Sequence, residues 1–327
     1  MHLGVRDAES VRFVQGKLRE TSLYHLGLHD GGKAGWNLDA GGPIAMSADS
    51  EIGKLLLCLR PNQRRGSKLR CHVLTHGSRD DVAKRLNLLM EPWGHVSPDA
   101  DHWMPEGFVA VDEAQLGAST HLIPSEKQRQ DLLDWWLAVP ENANTPNWDV
   151  ASTCIVNGKS GLLLVEAKAH DAELRNEEKG KELKPPVSIN SRRNHMRIGA
   201  CMQDANLALA GETHLPWALS RDWNYQMSNR FAWAWKLTSL GIPTVLVYLG
   251  FLLADEMRTD EQTPFATPKE WEQRVRSHSE SLFPAEIWNQ KWTLHGQCFI
   301  PIIKALDLPI ATHNRAFKCG DSSLDLG

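Results

Sequence analysis

Three charged residues, Asp149, Glu166 and Lys168, have types and spacing that suit catalytic chemistry. Residues two apart on an extended strand point to the same face, so Glu166 and Lys168 are expected to emerge together. Two carboxylates repel each other, and a hard divalent cation such as Mg²⁺ accepts one or two of them together with waters and phosphate oxygens. Such an ion activates water, and a neighbouring lysine stabilises developing negative charge. These are the parts that phosphodiester hydrolysis requires.

The surrounding sequence predicts how these residues meet. Two runs typical of strands, residues 149–156 and 161–169, flank an Asn-Gly-Lys-Ser segment at residues 157–160, which is typical of a tight hairpin turn. The turn brings the start of the first strand beside the end of the second. We therefore expect Asp149 to lie next to Glu166 in space.

This layout resembles the PD-(D/E)xK nuclease superfamily. The resemblance rests on Asp149 at a strand start and on Glu166-Ala167-Lys168 at the end of the next strand, after an apolar run. Pro146 lies three positions before Asp149 rather than next to it, and this proline position is loose in the superfamily. The similar region covers about residues 126–251. A second Glu-x-Lys triplet, at residues 182–184, follows no apolar strand and is set aside.

The resemblance implies an α/β fold with a mixed central sheet flanked by helices, the restriction-endonuclease-like core. It implies Mg²⁺ or Mn²⁺ bound by the carboxylates of Asp149 and Glu166, with the Ala167 carbonyl as a further ligand. Lys168 would then support the attacking water or the transition state. DNA is the expected substrate, in bacterial restriction, defence or repair, and this setting rests on family analogy alone.

Two helices add candidate site residues. Gln226, Asn229 and Arg230 are spaced i, i+3 and i+4 and share one helix face, as in superfamily helices that offer a glutamine or a basic residue to the site. Gln226 is assigned to catalysis, and Asn229 and Arg230 to nucleic-acid binding, against the alternative of a solvated helix face. Glu126, on an earlier helix, is a candidate extra metal ligand, although an acidic residue in a first helical turn also simply suits the helix dipole.

A basic cluster follows the segment after the second strand. Residues 191–197 contain no acidic side chain and carry four candidate phosphate contacts, Arg192, Arg193, His195 and Arg197. The longer basic run before them is diluted by glutamates. The alternative for such a run is a solvated loop.

Hydrophobic periodicity predicts the remaining elements. Helices are expected over residues 79–90, 126–138, 196–210, 225–240 and 269–281, strands over residues 69–75 and 244–249, an apolar run over 298–306, and a glycine-rich loop over 26–42. The sequence is divided into an N-terminal accessory region of unclear fold, residues 1–117, and a nuclease-like domain, residues 118–327.

Composition excludes several classes of protein. The net charge of −4 argues neither for nor against a basic groove, and the six scattered cysteines contain no CxxC pair, so no zinc ribbon or disulfide framework is indicated. The start of the chain lacks a signal-peptide pattern and no apolar run is long enough to span a bilayer, so a cytoplasmic, non-membrane protein is expected. Most of the 13 tryptophans are interpreted as core residues.

Three alternatives to a nuclease remain open at this stage. The first is a catalytically silent nuclease fold that binds nucleic acid or a protein partner. The second is a metal hydrolase acting on a small phosphorylated substrate in a closed pocket. The third is a structural protein with a tryptophan-rich interior. A homodimer would suit double-strand cleavage and is also left open.

Overall fold

The computed structural model describes residues 44–45, 56–57, 59–60, 63–308 and 310–311, and the predicted loop at 26–42 lies outside them. The described elements follow in the order β1 (Ile44–Ala45), α1 (Gly66–Leu74), α2 (Arg79–Met90), β2 (Gly94–His95), β3 (Trp103–Met104), β4 (Ala114–Gln115), α3 (Glu126–Trp136), β5 (Asn147–Trp148), β6 (Val150–Val156), β7 (Lys159–Lys168), α4 (Asp171–Glu177), α5 (Ile189–Thr213), α6 (Tyr225–Ser239), β8 (Thr244–Leu252), α7 (Pro268–Ser279), β9 (Trp292–Leu294), β10 (Gln297–Asp307) and β11 (Ile310–Ala311).

A mixed sheet of seven strands forms the centre of the described structure. Its order is β2-β6-β7-β8-β10-β9, and β3 also pairs with β6. Strand β7 runs antiparallel to β6 and parallel to β8, and β8 runs parallel to β10. The predicted fold class is confirmed at this level: the protein is mixed α/β, with a mixed sheet flanked by helices.

The hairpin between β6 and β7 confirms the strongest local prediction. Asn157 and Gly158 have φ values of 50° and 76°, the left-handed conformation that a two-residue hairpin turn of this twist requires. The register pairs Val156 with Lys159 at the turn and Val150 with Val165 at the far end. This register leaves Asp149 beside Glu166, as predicted from the position of the turn.

Helices cover both faces of the sheet because the central strands are apolar on both. Along β7, Leu162 and Leu164 pack into a core shared with helices α3, α5, α6 and α7. Leu163 and Val165, which alternate with them, pack into a second core with α1 and α2. Burial on both faces accounts for the continuous apolar run before Glu166.

The predicted helix at residues 79–90 is confirmed, and three others begin or end within about two residues of the predicted positions. Ser125 caps α3 by accepting a hydrogen bond from the backbone of Gln128, at 3.3 Å. Helix α5 starts at Ile189 rather than at residue 196, because Ser188 caps a first turn that carries no apolar periodicity.

The predicted strand at residues 69–75 is wrong, since this segment forms α1. The strand prediction took Arg70 as a polar residue that points to solvent, whereas its side chain is 0% exposed. Arg70 pairs with Glu256 and donates to the backbone oxygen of Leu308 at 3.0 Å. Because this arginine is buried and paired, it falls at a position that an alternating strand pattern would assign to solvent.

The division of the chain into two regions, residues 1–117 and 118–327, stays a prediction. In the structure, the described residues on both sides of it share one sheet, because β2 and β3 pair with β6. They also share one core, in which α1 and α2 pack on β7 and β8. No helix among the described residues is long and apolar enough to cross a bilayer.

Gly250 on β8 tests the packing of this sheet against α7. A Cβ atom at residue 250 would lie 2.5 Å from the ring of Trp271, which is fully buried and cannot move aside. We expect Gly250→Ala to lower the free energy of unfolding by about 1–3 kcal/mol in urea denaturation, as overpacking does.

The control is Gly211→Ala on helix α5, where an added Cβ meets nothing within 4 Å. This change should be neutral or stabilise by up to about 1 kcal/mol, since alanine favours a helix more than glycine does. Equal stability of the two variants would contradict the close contact between β8 and α7.

Candidate active site

A cleft of about 570 Å³ opens at the carboxyl end of β7. Residues from α1, β5, β7, α4 and α6 line it, so five elements converge on the position where the sequence predicted catalytic chemistry. The lining carries five acidic side chains, Glu113, Asp149, Glu166, Glu173 and Glu177, and five basic ones, Lys68, Lys168, Lys179, Lys181 and Arg230.

Asp149 lies at the corner between β5 and β6. Strand β5 pairs with β4, whereas β6 pairs with β7, and the chain changes sheets at this residue. The fully buried Trp148 fixes the corner on one side and Val150 fixes it on the other. The Oδ2 atom of Asp149 accepts a hydrogen bond of 2.8 Å from the backbone N–H of Ala167. The carboxyl is thereby held against the end of β7.

Glu166 is 1% exposed and is surrounded by donors. Its Oε1 atom accepts from Gln226 Nε2 at 2.6 Å and from Lys168 Nζ, and its Oε2 atom accepts from Arg230 Nε at 2.6 Å. Burial by itself would raise the pKa of Glu166, but Arg230 and Lys168 hold that pKa below its ordinary value. Glu166 is therefore a buried carboxylate that stays ionised.

Lys168 bridges two buried carboxylates. Besides Glu166, it contacts Glu177 Oε1 at 2.8 Å, and the other oxygen of Glu177 lies 3.3 Å from His278 Nε2. Burial alone would lower the pKa of Lys168, but the carboxylates of Glu166, Glu177 and Asp149 raise it above its ordinary value. Lys168 thus carries a positive charge at a fixed position on the floor of the cleft.

Helix α6 supplies Gln226, Asn229 and Arg230 to the cleft, as their shared helix face predicted. Each of the three nitrogens of the Arg230 guanidinium donates a hydrogen bond within the protein. It bonds Glu166, donates to Asn229 Oδ1 at 2.9 Å and to the backbone oxygen of Asn147 at 2.6 Å, and lies 4.5 Å from the ring centroid of Trp148. Its contacts orient Glu166 and the corner before Asp149.

The other predicted site residues lie elsewhere. Glu126 is exposed in the first turn of α3 and does not line the cleft. Arg192 and Arg193 are exposed on α5 and are also absent from the lining. His195 Nε2 lies 2.8 Å from the backbone oxygen of Lys181, and Arg197 donates to backbone oxygens at the end of α3.

Several residues of the cleft were not predicted from the sequence. Lys68, from α1, pairs with Glu113 at 2.7 Å, and Glu113 also accepts from Asn147 Nδ2 at 3.0 Å. Glu173 accepts from the backbone of Ala169 at 2.6 Å. Lys68 and Glu113 come from the region where the sequence predicted no site. Glu173 and Glu177 lie in the polar segment for which the sequence left a groove lining and a solvated loop open, and Glu177 is buried at the end of α4.

Among the acidic side chains that line the cleft, Asp149 differs from the other four in having no ion pair with a described residue. Lys68, Lys168 and Arg230 all have ion-pair partners, whereas no ion pair of the described residues includes Asp149. Burial and the neighbouring Glu166 carboxylate raise the pKa of Asp149 to about 8. The floor of the cleft therefore contains one carboxyl group that lacks a positive partner.

Asp149 and Glu166 are the side chains of the cleft that could hold a hard divalent cation. In addition to its bond to Ala167, Asp149 has free oxygen lone pairs, and Glu166 Oε2 accepts one hydrogen bond and retains one lone pair. No group of three or more His, Cys, Asp or Glu side chains within the described part of the chain is arranged to hold a metal. Two carboxylates, completed by waters or phosphate oxygens, would suit Mg²⁺ rather than zinc.

Comparison of the chain with protein-family models, with curated proteins and with solved structures gives no match. The chemistry of the cleft is therefore argued from its own residues.

Asp149→Asn tests the unbalanced carboxyl. Because its pKa in the folded protein is about 8, above the ordinary value of 3.8, folded Asp149 holds a proton that the unfolded chain has lost at intermediate pH. The wild type should therefore lose stability relative to Asp149→Asn as pH rises from about 4 to about 8, by on the order of a few kcal/mol. Urea denaturation in EDTA at several pH values measures this difference. A constant difference across the range would contradict the raised pKa.

Glu177→Ala tests the buried partner of Lys168. Removing one member of a buried ion pair leaves the other charge uncompensated, so we expect a loss of about 3–5 kcal/mol in unfolding free energy. Glu178→Ala is the matched control, because the neighbouring Glu178 side chain is exposed. The control should change stability by less than about 0.5 kcal/mol. Similar values for both variants would show that the Lys168–Glu177 pair contributes nothing.

Proposed function

We propose that this protein is a metal-dependent nuclease that hydrolyses phosphodiester bonds of DNA in the cleft at the end of β7. The observation that carries the proposal is the unbalanced Asp149 carboxyl beside the Glu166–Lys168 pair. A bound divalent cation would supply the missing positive charge, and a phosphodiester would bring oxygen ligands of the kind that Mg²⁺ accepts.

Asp149, Glu166 and the Ala167 carbonyl would hold Mg²⁺ or Mn²⁺. When bound, such an ion lowers the pKa of a coordinated water and stabilises negative charge on phosphate oxygens. The Lys168 ammonium, fixed by Glu166 and Glu177, is positioned to orient the attacking water or to neutralise charge that develops in the transition state.

Helix α6 keeps the site in shape for this reaction. Gln226 and Arg230 donate to different oxygens of Glu166, so the carboxylate cannot rotate away from Asp149. The orientation of the catalytic groups is therefore fixed before a substrate arrives, which lowers the entropic cost of reaching the transition state.

The proposed fold is a restriction-endonuclease-like core of the PD-(D/E)xK type. Support comes from the hairpin of β6 and β7, which brings Asp149 beside Glu166 near the end of the second strand. Helices α4, α5 and α6 follow, and then the parallel strand β8. A cytoplasmic role in bacterial restriction, defence or repair goes with this resemblance and is part of the proposal.

One observation favours a second candidate, a catalytically silent module that binds nucleic acid or a partner. Both oxygens of Glu166 already accept hydrogen bonds from the protein, from Lys168 and Gln226 on one side and Arg230 on the other. Such a carboxylate is satisfied without a metal. Dependence of activity on a divalent cation distinguishes the two candidates.

Cleavage of supercoiled plasmid and of circular single-stranded DNA tests the proposal. We expect cutting by the wild type with Mg²⁺ or Mn²⁺ and none with EDTA. Lys168→Ala should lower the rate about 100-fold or more, the usual effect of removing one group that stabilises transition-state charge. Lys159→Ala, at the opposite end of the same strand, is the control and should retain wild-type activity.

Two results would overturn the nuclease assignment. One is an absence of metal-dependent cutting on both substrates, which favours the silent module. The other is equal activity of Lys168→Ala and the control, which would place the chemistry outside this cleft.

A further inference from the structure

Residues 179–181 and Tyr225 line one side of the cleft. The backbone segment 221–225 pairs with residues 179–181, and the two segments are together called the rim. Lys179 and Trp223 form an antiparallel bridge between the segments. Three further backbone hydrogen bonds join this region, from Lys181 to Arg221 at 2.8 Å, from Tyr225 to Lys179 at 3.2 Å and from Asn224 to Glu178 at 3.0 Å. The rim is therefore a fixed structure rather than a pair of independent loops.

Trp223 is the exposed aromatic residue of the rim. Its side chain is 51% exposed, whereas Trp136, Trp148 and Trp233 are buried in the core. The segments are packed so closely that a Cβ atom at Gly180 would lie 2.4 Å from the backbone oxygen of Asp222. The rim thus leaves about half of a large flat apolar ring in water, and this exposed part suits a flat ligand.

The rim also presents two lysines to the cleft. Lys179 is exposed and Lys181 is half-buried, with its Nζ atom 4.9 Å from the ring centroid of Tyr225. Both line the cleft, and among the described residues neither has an ion-pair partner, although Lys179 bonds the amide oxygen of Asn176 at 3.1 Å. Two unneutralised cations next to an exposed aromatic ring form a pattern that suits a nucleic-acid strand.

We infer that the rim binds single-stranded nucleic acid, with one base stacked on Trp223 and the adjoining phosphates on Lys179 and Lys181. The bases of a duplex are stacked on each other and paired, so their faces are closed to Trp223, whereas a single strand offers them freely. The strand would lead from the rim to Glu166 and Lys168, which line the same cleft as Lys179 and Lys181.

This inference names the substrate class of the proposed nuclease, and it rests on that proposal for cleavage but not for binding. Binding is therefore measured without catalysis, by fluorescence anisotropy of a labelled 20-nucleotide strand and of its duplex, in EDTA. The wild type should bind the single strand at least about tenfold more tightly than the duplex. Trp223→Ala should weaken single-strand binding by roughly fivefold to a hundredfold, the range measured for one base stacked on an aromatic ring.

Two variants separate stacking from general surface effects. Trp223→Phe keeps an aromatic face and should bind within about threefold of the wild type, since phenylalanine also stacks bases. Leu207→Ala removes a different apolar side chain, 76% exposed on α5, and should leave binding unchanged.

Lys179→Ala should reduce the slope of log affinity against log salt by about 0.7, the value for one phosphate contact of a single strand.

Preference for the duplex, equal binding by Trp223→Ala and the wild type, or no binding of either nucleic acid would each overturn the inference. The cleavage assay judges the proposed function separately. Metal-dependent cutting by Trp223→Ala at the wild-type rate and affinity would refute the rim and leave the nuclease standing. Single-strand binding that requires Trp223, without cutting, would support the binding role of the rim and refute the proposed nuclease activity.

Discussion

The buried carboxylate of Glu166 imposes the constraint on which the rest of the site depends. Removing an ionised carboxylate from water costs several kcal/mol, which only close charged partners and hydrogen bonds offset. Here the partners are Lys168 from the same strand and Gln226 and Arg230 from α6. Helix α6 must therefore pack against β7 in one register, because a shift by one turn would leave Glu166 uncompensated.

The same constraint extends outward through further buried charges. Lys168 needs Glu177, which ties α4 to the sheet, and Glu177 contacts His278 on α7. Arg230 in turn bonds the backbone before Asp149. Each of these groups is held by its neighbours, and Asp149 is the member of the floor that the described residues leave without a positive partner. This asymmetry, rather than the number of carboxylates, is the reason for proposing an added cation.

The parts of the site that were predictable from sequence are those fixed by local rules. The Asn157-Gly158 turn and the apolar run before Glu166 determine the hairpin, and the length of its arms then brings Asp149 to Glu166. Helical spacing alone predicted that Gln226 and Arg230 share a face. These relations depend only on the periodicity of a helix and the register of a hairpin, which can be predicted directly from the sequence.

The remaining parts depend on contacts between distant segments. Lys68 and Glu113 reach the cleft only because α1 packs on the sheet, and Arg70 imitated a strand pattern because Glu256 neutralises it. The cluster at residues 191–197, for which local charge density suggested a groove, lies outside the lining of the cleft. The structure uses His195 and Arg197 to bond backbone oxygens instead. Polarity in sequence does not distinguish a solvated charge from a paired one.

The most direct measurement is a crystal structure of the protein soaked in Mn²⁺, with anomalous diffraction to locate the ion. We expect an anomalous peak within about 2.5 Å of carboxylate oxygens from both Asp149 and Glu166, a coordination distance expected for hard cations. The peak should disappear in Asp149→Asn crystals treated in the same way. A well-ordered cleft without a peak at saturating Mn²⁺, or a peak that persists in the variant, would contradict the assignment of this carboxylate pair as a metal site.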